Sequence, residues 1–222
     1  MFSRPRGARN TNEGASSTGC TAVGAVVVAG VVVGFGGEML PLRSTDNDFR
    51  VSVTGWGIPA GLCPGGRAQF EFHVALPLSA DGIAAAAILL EAVAETGRAF
   101  WGHVTPVSAA VDIAHQTKNR PDDREPPPRG LPVIKSPSAM RSPGIPHRLG
   151  WLNYWSDAAA RTIGIPDPAR DAELLSRSRR TATGGWVVKL TNAPLDLDNP
   201  AHLDTLKRAY EHFPEIGGRS IS

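Results

Sequence analysis

A proline-rich stretch at 118–147 limits how this chain of 222 residues can fold. It holds eight prolines, three of them consecutive at 126–128. Each proline fixes φ and removes a backbone donor, so no long helix or strand can cross the stretch. Three prolines in a row favour polyproline II instead. We therefore expect a long surface loop here, with regular structure on either side of it.

Strands and a strong helix are predicted before the loop. Residues 49–55 and 67–76 alternate between apolar and polar side chains, which is typical of half-buried strands, and we expect the two to pair antiparallel. Residues 79–97 place apolar side chains at helical spacing. Ser79 or Asp81 is the expected N-cap of this helix.

Further elements are predicted after the loop. Residues 151–155 indicate either a strand or the lead into a helix, and the final helix is predicted to begin at Asn199. Between these segments helices are expected at 156–163 and 166–176, and a strand at 185–191. Because strands and helices do not alternate regularly, the predicted class is α+β, with a mostly antiparallel sheet packed by several helices.

The N-terminal region differs from the rest of the sequence. Residues 1–45 are predicted to be a poorly ordered or atypical segment before a single domain at 46–222, because residues 1–20 lack any hydrophobic period. An uncharged run at 21–37 contains seven valines and five glycines. Its favoured interpretation is a buried strand or a poorly ordered segment. Export or membrane anchoring through this run is the alternative.

Charge and cysteine usage narrow the class of protein. The formal net charge of +2 excludes a strongly basic nucleic-acid coat, and direct nucleic-acid binding is not expected. The two cysteines, Cys20 and Cys63, have no metal-ligand spacing and fit a reducing compartment better than a disulfide framework. A cytoplasmic location is therefore predicted.

No sequence pattern indicates catalysis. The six histidines show no zinc spacing, so we predict no metal, no cofactor and no catalytic residue. Glu71 and His73 share one face of a predicted strand, where a solvated pair is expected rather than an acid–base pair. Asp196 and Asp198 resemble the opening of a calcium loop, but Lys207 stands where the twelfth-position glutamate is needed.

The remaining feature is a group of aromatic residues: Trp151, Tyr154, Trp155 and, on another strand, Trp186. Tryptophan anchors protein cores and is also enriched at protein-binding hot spots and on stacking surfaces. The indoles of Trp151 and Trp155 are expected to lie side by side, whether the segment is a strand or a helix.

Several long segments resemble an uncharacterised bacterial family that is similar to immunity protein family 52 of polymorphic toxin systems. The resemblance covers roughly residues 50–219 and departs at residues 1–45. It is carried by PHRLGWLNYWSDAAARTIG, DPARDAELLSRSRRTATGGWVVKLT, LDLDNPAHLDTLKRAYEHFPEIGGR, VTGWGIPAGLCPGGRAQFEFHVALPL and RAFWGHVTPVSAAVDIA.

The resemblance implies a cytosolic α+β protein that binds and neutralises a cognate toxin, with a nuclease of restriction-endonuclease fold as the expected target. Membrane contact is not expected, except that the interpretation of the apolar run at 21–37 stays open between a buried or poorly ordered segment and an export or anchoring segment. The alternative function is a carbohydrate-binding module or an enzyme that uses Trp151, Trp155 and Trp186. The expected partner contacts are Trp151, Tyr154, Trp155, Trp186, Asp196 and Asp198.

Overall fold

The computed structural model describes residues 24–31, 40–43, 52–117 and 126–219. Thirteen helices and strands follow one another in this part of the chain, with short 3-10 turns between some of them. In order they are β1 (Gly24–Val31), β2 (Leu40–Arg43), β3 (Ser52–Ile58), β4 (Gln69–Pro77), α1 (Ala80–Thr96), β5 (Trp101–Pro106), α2 (Val107–Ala114), β6 (Leu152–Trp155), α3 (Asp157–Thr162), α4 (Ala172–Ser176), β7 (Arg179–Arg180), β8 (Trp186–Lys189) and α5 (Pro200–His212).

The strands form one sheet in the order β2-β3-β4-β1-β5-β6-β8-β7. Every pairing between these named strands is antiparallel. Strand β1 joins a group of three strands to a group of four. The predicted α+β class is confirmed, and so is the predicted antiparallel pairing of β3 with β4.

Helices α1 and α2 lie on opposite faces of the sheet. The Tyr154 hydroxyl on β6 donates to Glu95 of α1, and Gly102 on β5 stands opposite Tyr154. The next residue, His103, points the other way and lines a cavity together with α2. We call these two sides of the sheet the α1 face and the α2 face.

The first helix follows its sequence signals. The Ser79 side chain accepts a hydrogen bond from the Gly82 N–H at 3.2 Å, which caps the helix as predicted. The residues that α1 buries against the sheet lie four positions apart, about one helical turn, and are Ala86, Leu90 and Ala94.

The Val-rich run supplies the centre of the sheet. Strand β1 pairs with β4 on one side and with β5 on the other, and both α1 and α2 contact it. A strand covered on both faces is typically a continuous apolar run. The expected domain boundary at 46 is therefore corrected for residues 24–31 and 40–43, which belong to the sheet. The rest of 1–45 lies outside the described residues.

The regular structure in the described part of the proline-rich stretch, 126–147, is limited to two 3-10 turns and one isolated bridge from Ile134 to Thr117, which agrees with the expected loop. The loop is also tied to the core. Leu131, Ile134 and Met140 are buried, and the Ile134 N–H donates to the Gln116 carbonyl at 2.9 Å. These contacts hold the loop beside the end of α2.

The segment that the sequence left open between strand and helix is a strand, at residues 152–155. The helix predicted at 166–176 is shorter than expected and is limited to α4. Asp167 accepts hydrogen bonds from the N–H groups of Ala169 and Arg170 in a turn that precedes α4. Among the described residues no helix is long and apolar enough to span a membrane.

The last helix is part of the core. Asn199 caps α5 by accepting a hydrogen bond from the Ala201 N–H at 3.0 Å, and Leu206 and Tyr210 are buried. Leu206 is 0% exposed. We predict that Leu206→Ala lowers the free energy of unfolding by about 2–5 kcal/mol, because it leaves a cavity.

Urea unfolding followed by circular dichroism measures the Leu206→Ala loss. Glu211→Ala, on the exposed side of the same helix, is the control and should stay within about 0.5 kcal/mol of the parent protein. A loss below about 0.5 kcal/mol for Leu206→Ala would mean that the apolar stripe of α5 does not pack as described.

Candidate functional site

The aromatic residues predicted as partner contacts lie mainly in the core. Trp151, Tyr154 and Trp155 are all buried, and Trp186 is half-buried against the same core. The Trp151 indole N–H donates to the Thr191 carbonyl at 2.9 Å. Side chains that expose so little surface offer a partner of the folded protein almost no contact area. The structure therefore does not support the expected contacts at Trp151, Tyr154 and Trp155.

The neighbours of Trp155 also differ from the prediction. Trp155 stands opposite Trp101 on β5 and opposite Trp186 on β8, so a row of three tryptophans crosses the sheet. Trp151 is four positions away, about 13 Å along an extended chain. The expectation that Trp151 and Trp155 lie side by side is corrected, because residues pair across strands more closely than along one strand.

A stacking platform for sugars would need exposed ring faces. The buried indoles of Trp151 and Trp155 provide none. Of the three tryptophans on which the alternative function is built, only the half-buried Trp186 keeps accessible surface.

Tyr154 belongs to a hydrogen-bond cluster on the α1 face. One carboxylate oxygen of Glu95 accepts hydrogen bonds from the hydroxyls of Tyr154 at 2.8 Å and of Thr181 and Thr183 at 2.7 Å each. Burial by itself would raise the pKa of Glu95, but these hydrogen bonds outweigh it and lower the pKa. The cluster ties α1 to β6 and to the β7–β8 turn.

The acidic pair before α5 is exposed. Asp196 accepts a hydrogen bond from the Asp198 N–H at 2.9 Å, and Asp198 forms an ion pair with Arg129 at 2.8 Å. Arg129 also pairs with Asp112 of α2 and donates to the Leu197 carbonyl. Arg129 thereby joins the proline-rich loop, α2 and the segment before α5.

Exposed valines lie beside this junction. Val107 and Val111, one turn apart on α2, are 45% and 57% exposed, and Val133 of the adjoining loop is 47% exposed. Val133 lies near the end of α2, since the Gln116 side chain donates to the neighbouring Pro132 carbonyl at 3.1 Å. We define the α2 surface as Val107, Val111, Val133, Asp112, Arg129, Asp196 and Asp198.

A cavity of about 450 Å³ lies between α2 and the sheet. Its apolar wall includes Trp101 and Ile113, and Leu62, which is 61% exposed, marks its opening. The polar groups that line it come from β4, β5 and the end of the loop: Glu71, His73, His103, Thr105, His147 and Arg148.

Two of these polar groups are paired as their strand positions indicate. His73 and Glu71, two apart on β4, lie 3.4 Å apart. His103 Nδ1 and the Thr105 hydroxyl, two apart on β5, lie 2.8 Å apart. Burial lowers the pKa of His103 well below its usual value, and repulsion from Arg148, His73 and His147 lowers it further. His103 is therefore neutral at neutral pH.

His147 is held in one tautomer. Its Nε2 donates to the Lys135 carbonyl at 2.9 Å, and its Nδ1 accepts from Arg148 Nε at 3.4 Å. Burial lowers the pKa of His147 to about 4, with repulsion from Arg148 adding to the effect. A proton on Nδ1 would face the guanidinium, so the neutral ring is the form that fits.

The burial of His147 predicts that the stability of the protein depends on pH. The pKa of His147 is lower in the folded than in the unfolded chain, so the unfolded state binds the proton first as the pH falls. The stabilising contribution is complete above pH 6.5 and is lost as the pH falls towards 4. It amounts to about 2–3 kcal/mol between pH 7 and pH 4.5.

The measurement is urea unfolding of the parent protein and of His147→Gln at both pH values. Glutamine does not titrate, and it can still donate to the Lys135 carbonyl. The difference in unfolding free energy between the two proteins should therefore change by about 2–3 kcal/mol from one pH to the other. A constant difference would mean that His147 titrates normally in the folded chain.

A second polar cluster lies between α4 and α5. The Asp171 carboxylate, whose side chain is 0% exposed, pairs with His212 and with Arg170 at 2.8 Å. It also accepts the Asp167 N–H at 2.8 Å. Burial would raise the pKa of Asp171, but the hydrogen bonds from Arg170 and His212 outweigh it and lower the pKa. The cluster locks α5 against the turn before α4.

No group of three or more His, Cys, Asp or Glu side chains within 24–31, 40–43, 52–117 and 126–219 has the geometry to hold a metal ion. In the same ranges Cys63 is a free, buried thiol. Its Sγ–H donates to the Ile58 carbonyl at 3.3 Å, and burial raises its pKa.

Little in the sequence indicates the cavity or the Asp171 cluster. Glu71 and His73 can be paired from the sequence, because they share a strand face. His103 with Thr105 repeats that i, i+2 pattern on β5 and could have been found in the same way. Arg148 meets them only through the path of the proline-rich loop, which no local spacing encodes.

The family described as "Domain of unknown function (DUF5953)" matches residues 33–221. The match takes in β2 and every later element, and it begins earlier than the expected boundary at 46. No curated protein matches the chain.

Proposed function

The chain belongs to the DUF5953 family, and we propose that it is a non-catalytic, immunity-type protein that neutralises a cognate toxin by stoichiometric binding. The family by itself assigns no activity. The proposal rests on the resemblance of residues 50–219 to the immunity family noted above, and on one structural observation. That observation is the α2 surface, where exposed valines adjoin a bridged set of acids.

The α2 surface has the composition of a protein-binding site. Val107, Val111 and Val133 provide apolar contact, while Asp112, Arg129, Asp196 and Asp198 form a charged rim. Apolar centres with polar rims are typical of protein interfaces, and a stable complex buries about 1,600 Å² in total. We place the toxin contact here, instead of at the buried tryptophans.

The charge on this surface favours a basic partner only weakly. Three carboxylates face one guanidinium, and two of the carboxylates are already paired with it. A nuclease carries positive charge where it holds phosphate, so the acids would complement the edge of such a site. A full mimic of nucleic acid would need many more acids than this surface carries, so we propose mixed apolar and polar contacts.

A survival assay tests the proposal in cells. The protein is expressed with the product of the gene beside its own, which the proposal identifies as the toxin, and colony counts are compared with those of cells that carry that product alone. We expect rescue by the parent protein and loss of rescue by Val111→Glu, because an unpaired carboxylate buried in an interface costs several kcal/mol.

Ile88→Glu is the matched control. Ile88 is exposed on α1, on the opposite face of the sheet, at 68% against 57% for Val111. Both changes put the same charge at an exposed apolar position of a helix. Equal rescue by the two variants would remove the α2 surface from the proposal. No rescue by the folded parent protein would contradict the immunity function itself.

The acids are tested separately. Replacing Asp196 and Asp198 together by alanine should weaken rescue only if these carboxylates contact the toxin, since exposed ion pairs contribute about 0–1 kcal/mol to stability. Unchanged rescue would limit the contact to the valines. This double variant distinguishes a charge-led interface from an apolar one.

A further inference from the structure

The cavity between α2 and the sheet contains polar groups that the chain itself leaves incompletely bonded. The Arg148 guanidinium has no carboxylate within 4 Å in the described residues. Its bonds to His147 Nδ1 and to the Thr117 hydroxyl are long, at 3.3–3.4 Å. Its Nη1 atom has no hydrogen-bond partner within the described ranges. A partly buried cation of this kind normally has an anion as its partner.

His103 adds a second incomplete group. Only 5% of this residue is exposed, and its Nδ1 is bonded to the Thr105 hydroxyl. Its Nε2 has no hydrogen-bond partner among the residues that the structure describes. Arg148 and His103 line the same cavity, and the charge of Arg148 contributes to the lowered pKa of His103, as expected for groups that face a common space.

The remaining wall is apolar. Trp101, Ile113 and the exposed Leu62 at the opening provide surfaces for a hydrophobic body. A volume of about 450 Å³ is within the range of small-molecule sites, which are mostly apolar with a few convergent polar groups. The cavity therefore combines one cationic group, one neutral hydrogen-bonding group and an apolar wall.

We infer that this cavity binds a small hydrophobic monocarboxylate, with the carboxylate on Arg148 and His103 Nε2 and the apolar body against Trp101 and Ile113. Glu71, on the same lining, disfavours a dianion such as phosphate, which would also need more than one guanidinium. Its pairing with His73 at 3.4 Å reduces its repulsion of a single charge. The inference does not depend on the proposed toxin contact, which uses the outer side of α2.

Isothermal titration calorimetry on the full chain tests this site with named probes. Phenylacetate, 3-phenylpropionate and hexanoate represent the proposed class. Phenylacetamide, a neutral isostere of phenylacetate, and inorganic phosphate are the comparisons. We expect at least one of the three carboxylates to bind, and phenylacetate to bind at least about tenfold more tightly than phenylacetamide, because hydrogen bonds between charged groups are stronger than neutral ones.

Variants place the binding at Arg148. Arg148→Gln should weaken carboxylate binding by about tenfold to a hundredfold, and Arg148→Lys, which keeps the charge, should weaken it less. Arg208→Gln, an exposed arginine on α5, removes the same charge elsewhere and should leave binding unchanged.

Three results would overturn the inference. They are equal affinity for phenylacetate and phenylacetamide, phosphate binding as tight as that of the carboxylates, and no binding of any of the three carboxylates up to about 10 mM. The comparison of acid with amide uses the parent protein alone, so it decides the question even if Arg148→Gln does not fold.

Discussion

Replacing Trp155 by alanine is expected to lower the free energy of unfolding by about 3–5 kcal/mol. The indole is 0% exposed and meets the Phe213 ring edge-on, with the ring centroids 5.3 Å apart. It also stands between Trp101 and Trp186 in the row that crosses the sheet. Removing it leaves a large cavity between the sheet and α5, which the surrounding side chains can fill only in part.

Trp186→Ala is the matched comparison for Trp155→Ala. Trp186 occupies the neighbouring position of the same row but is only half-buried. Trp186→Ala should lower the free energy of unfolding by clearly less than Trp155→Ala does, because less of the Trp186 ring is removed from an apolar environment. Chemical unfolding monitored by circular dichroism measures both variants. Equal losses, or a loss below about 1 kcal/mol for Trp155→Ala, would mean that Trp155 is not the core anchor described here.

Replacing Asp171 by alanine is expected to cost about 2–4 kcal/mol. This carboxylate is fully buried and holds Arg170, His212 and the Asp167 N–H. Removing one member of a buried ionic cluster leaves its partners unpaired, at a cost of about 3–5 kcal/mol when all of them are buried. The side chains of Arg170 and His212 are 40% and 29% exposed, so water compensates for part of the loss.

Two comparison variants isolate the cause of the Asp171→Ala loss. Asp171→Asn keeps the shape and removes the charge, and Asp204→Ala removes an exposed carboxylate from α5. We expect Asp171→Asn to lower the free energy of unfolding by less than Asp171→Ala does. The free energy of unfolding of Asp204→Ala should stay within about 0.5 kcal/mol of that of the parent protein. A loss for Asp171→Ala no larger than that of Asp204→Ala would contradict the structural role of the cluster.

The sign of the pH effect at Asp171 provides an independent check. Its pKa is lowered in the folded chain, so its contribution is complete above the ordinary value of 3.8 and is lost as the pH falls through the folded value. The His147 contribution is lost at higher pH, between 6.5 and about 4. Below pH 3.8 the free energy of unfolding of Asp171→Asn should therefore fall less steeply with pH than that of the parent protein. At higher pH the two proteins should show the same pH dependence.

Local signals in the sequence predicted those helices and strands that are stabilised by interactions between residues close together in the chain. Helix α1 has its Ser79 cap and α5 its Asn199 cap, and β4 has an alternating pattern that pairs it with β3. In each case hydrogen bonds and periodicity within a few residues favour the same structure that the fold uses. These are the conditions under which sequence patterns are most informative.

The sequence could not show where the Val-rich run belongs. A continuous apolar run is compatible with a covered central strand, a short anchor or a signal core, although a buried strand or a poorly ordered segment is favoured. Only the pairing of β1 with both β4 and β5 decides between them, and these pairings join positions 39 to 81 residues apart.

The candidate sites depended on the same kind of long-range contact. The tryptophans could be recognised as a group, but the burial of Trp155 depends on Phe213, at the end of α5, packing against it. The α2 surface combines a helix, the proline-rich loop and the segment before α5, joined at Arg129. Of its members, sequence reasoning had singled out only Asp196 and Asp198.

The most direct test of the central proposal is the affinity and stoichiometry of the purified complex. Calorimetric titration of the parent protein into the toxin encoded beside it should give one protein per toxin, with tight binding. Val111→Glu should weaken that binding at least about tenfold, and Ile88→Glu should leave it unchanged. Absence of a complex, or equal weakening by the two variants, would contradict neutralisation through the α2 surface.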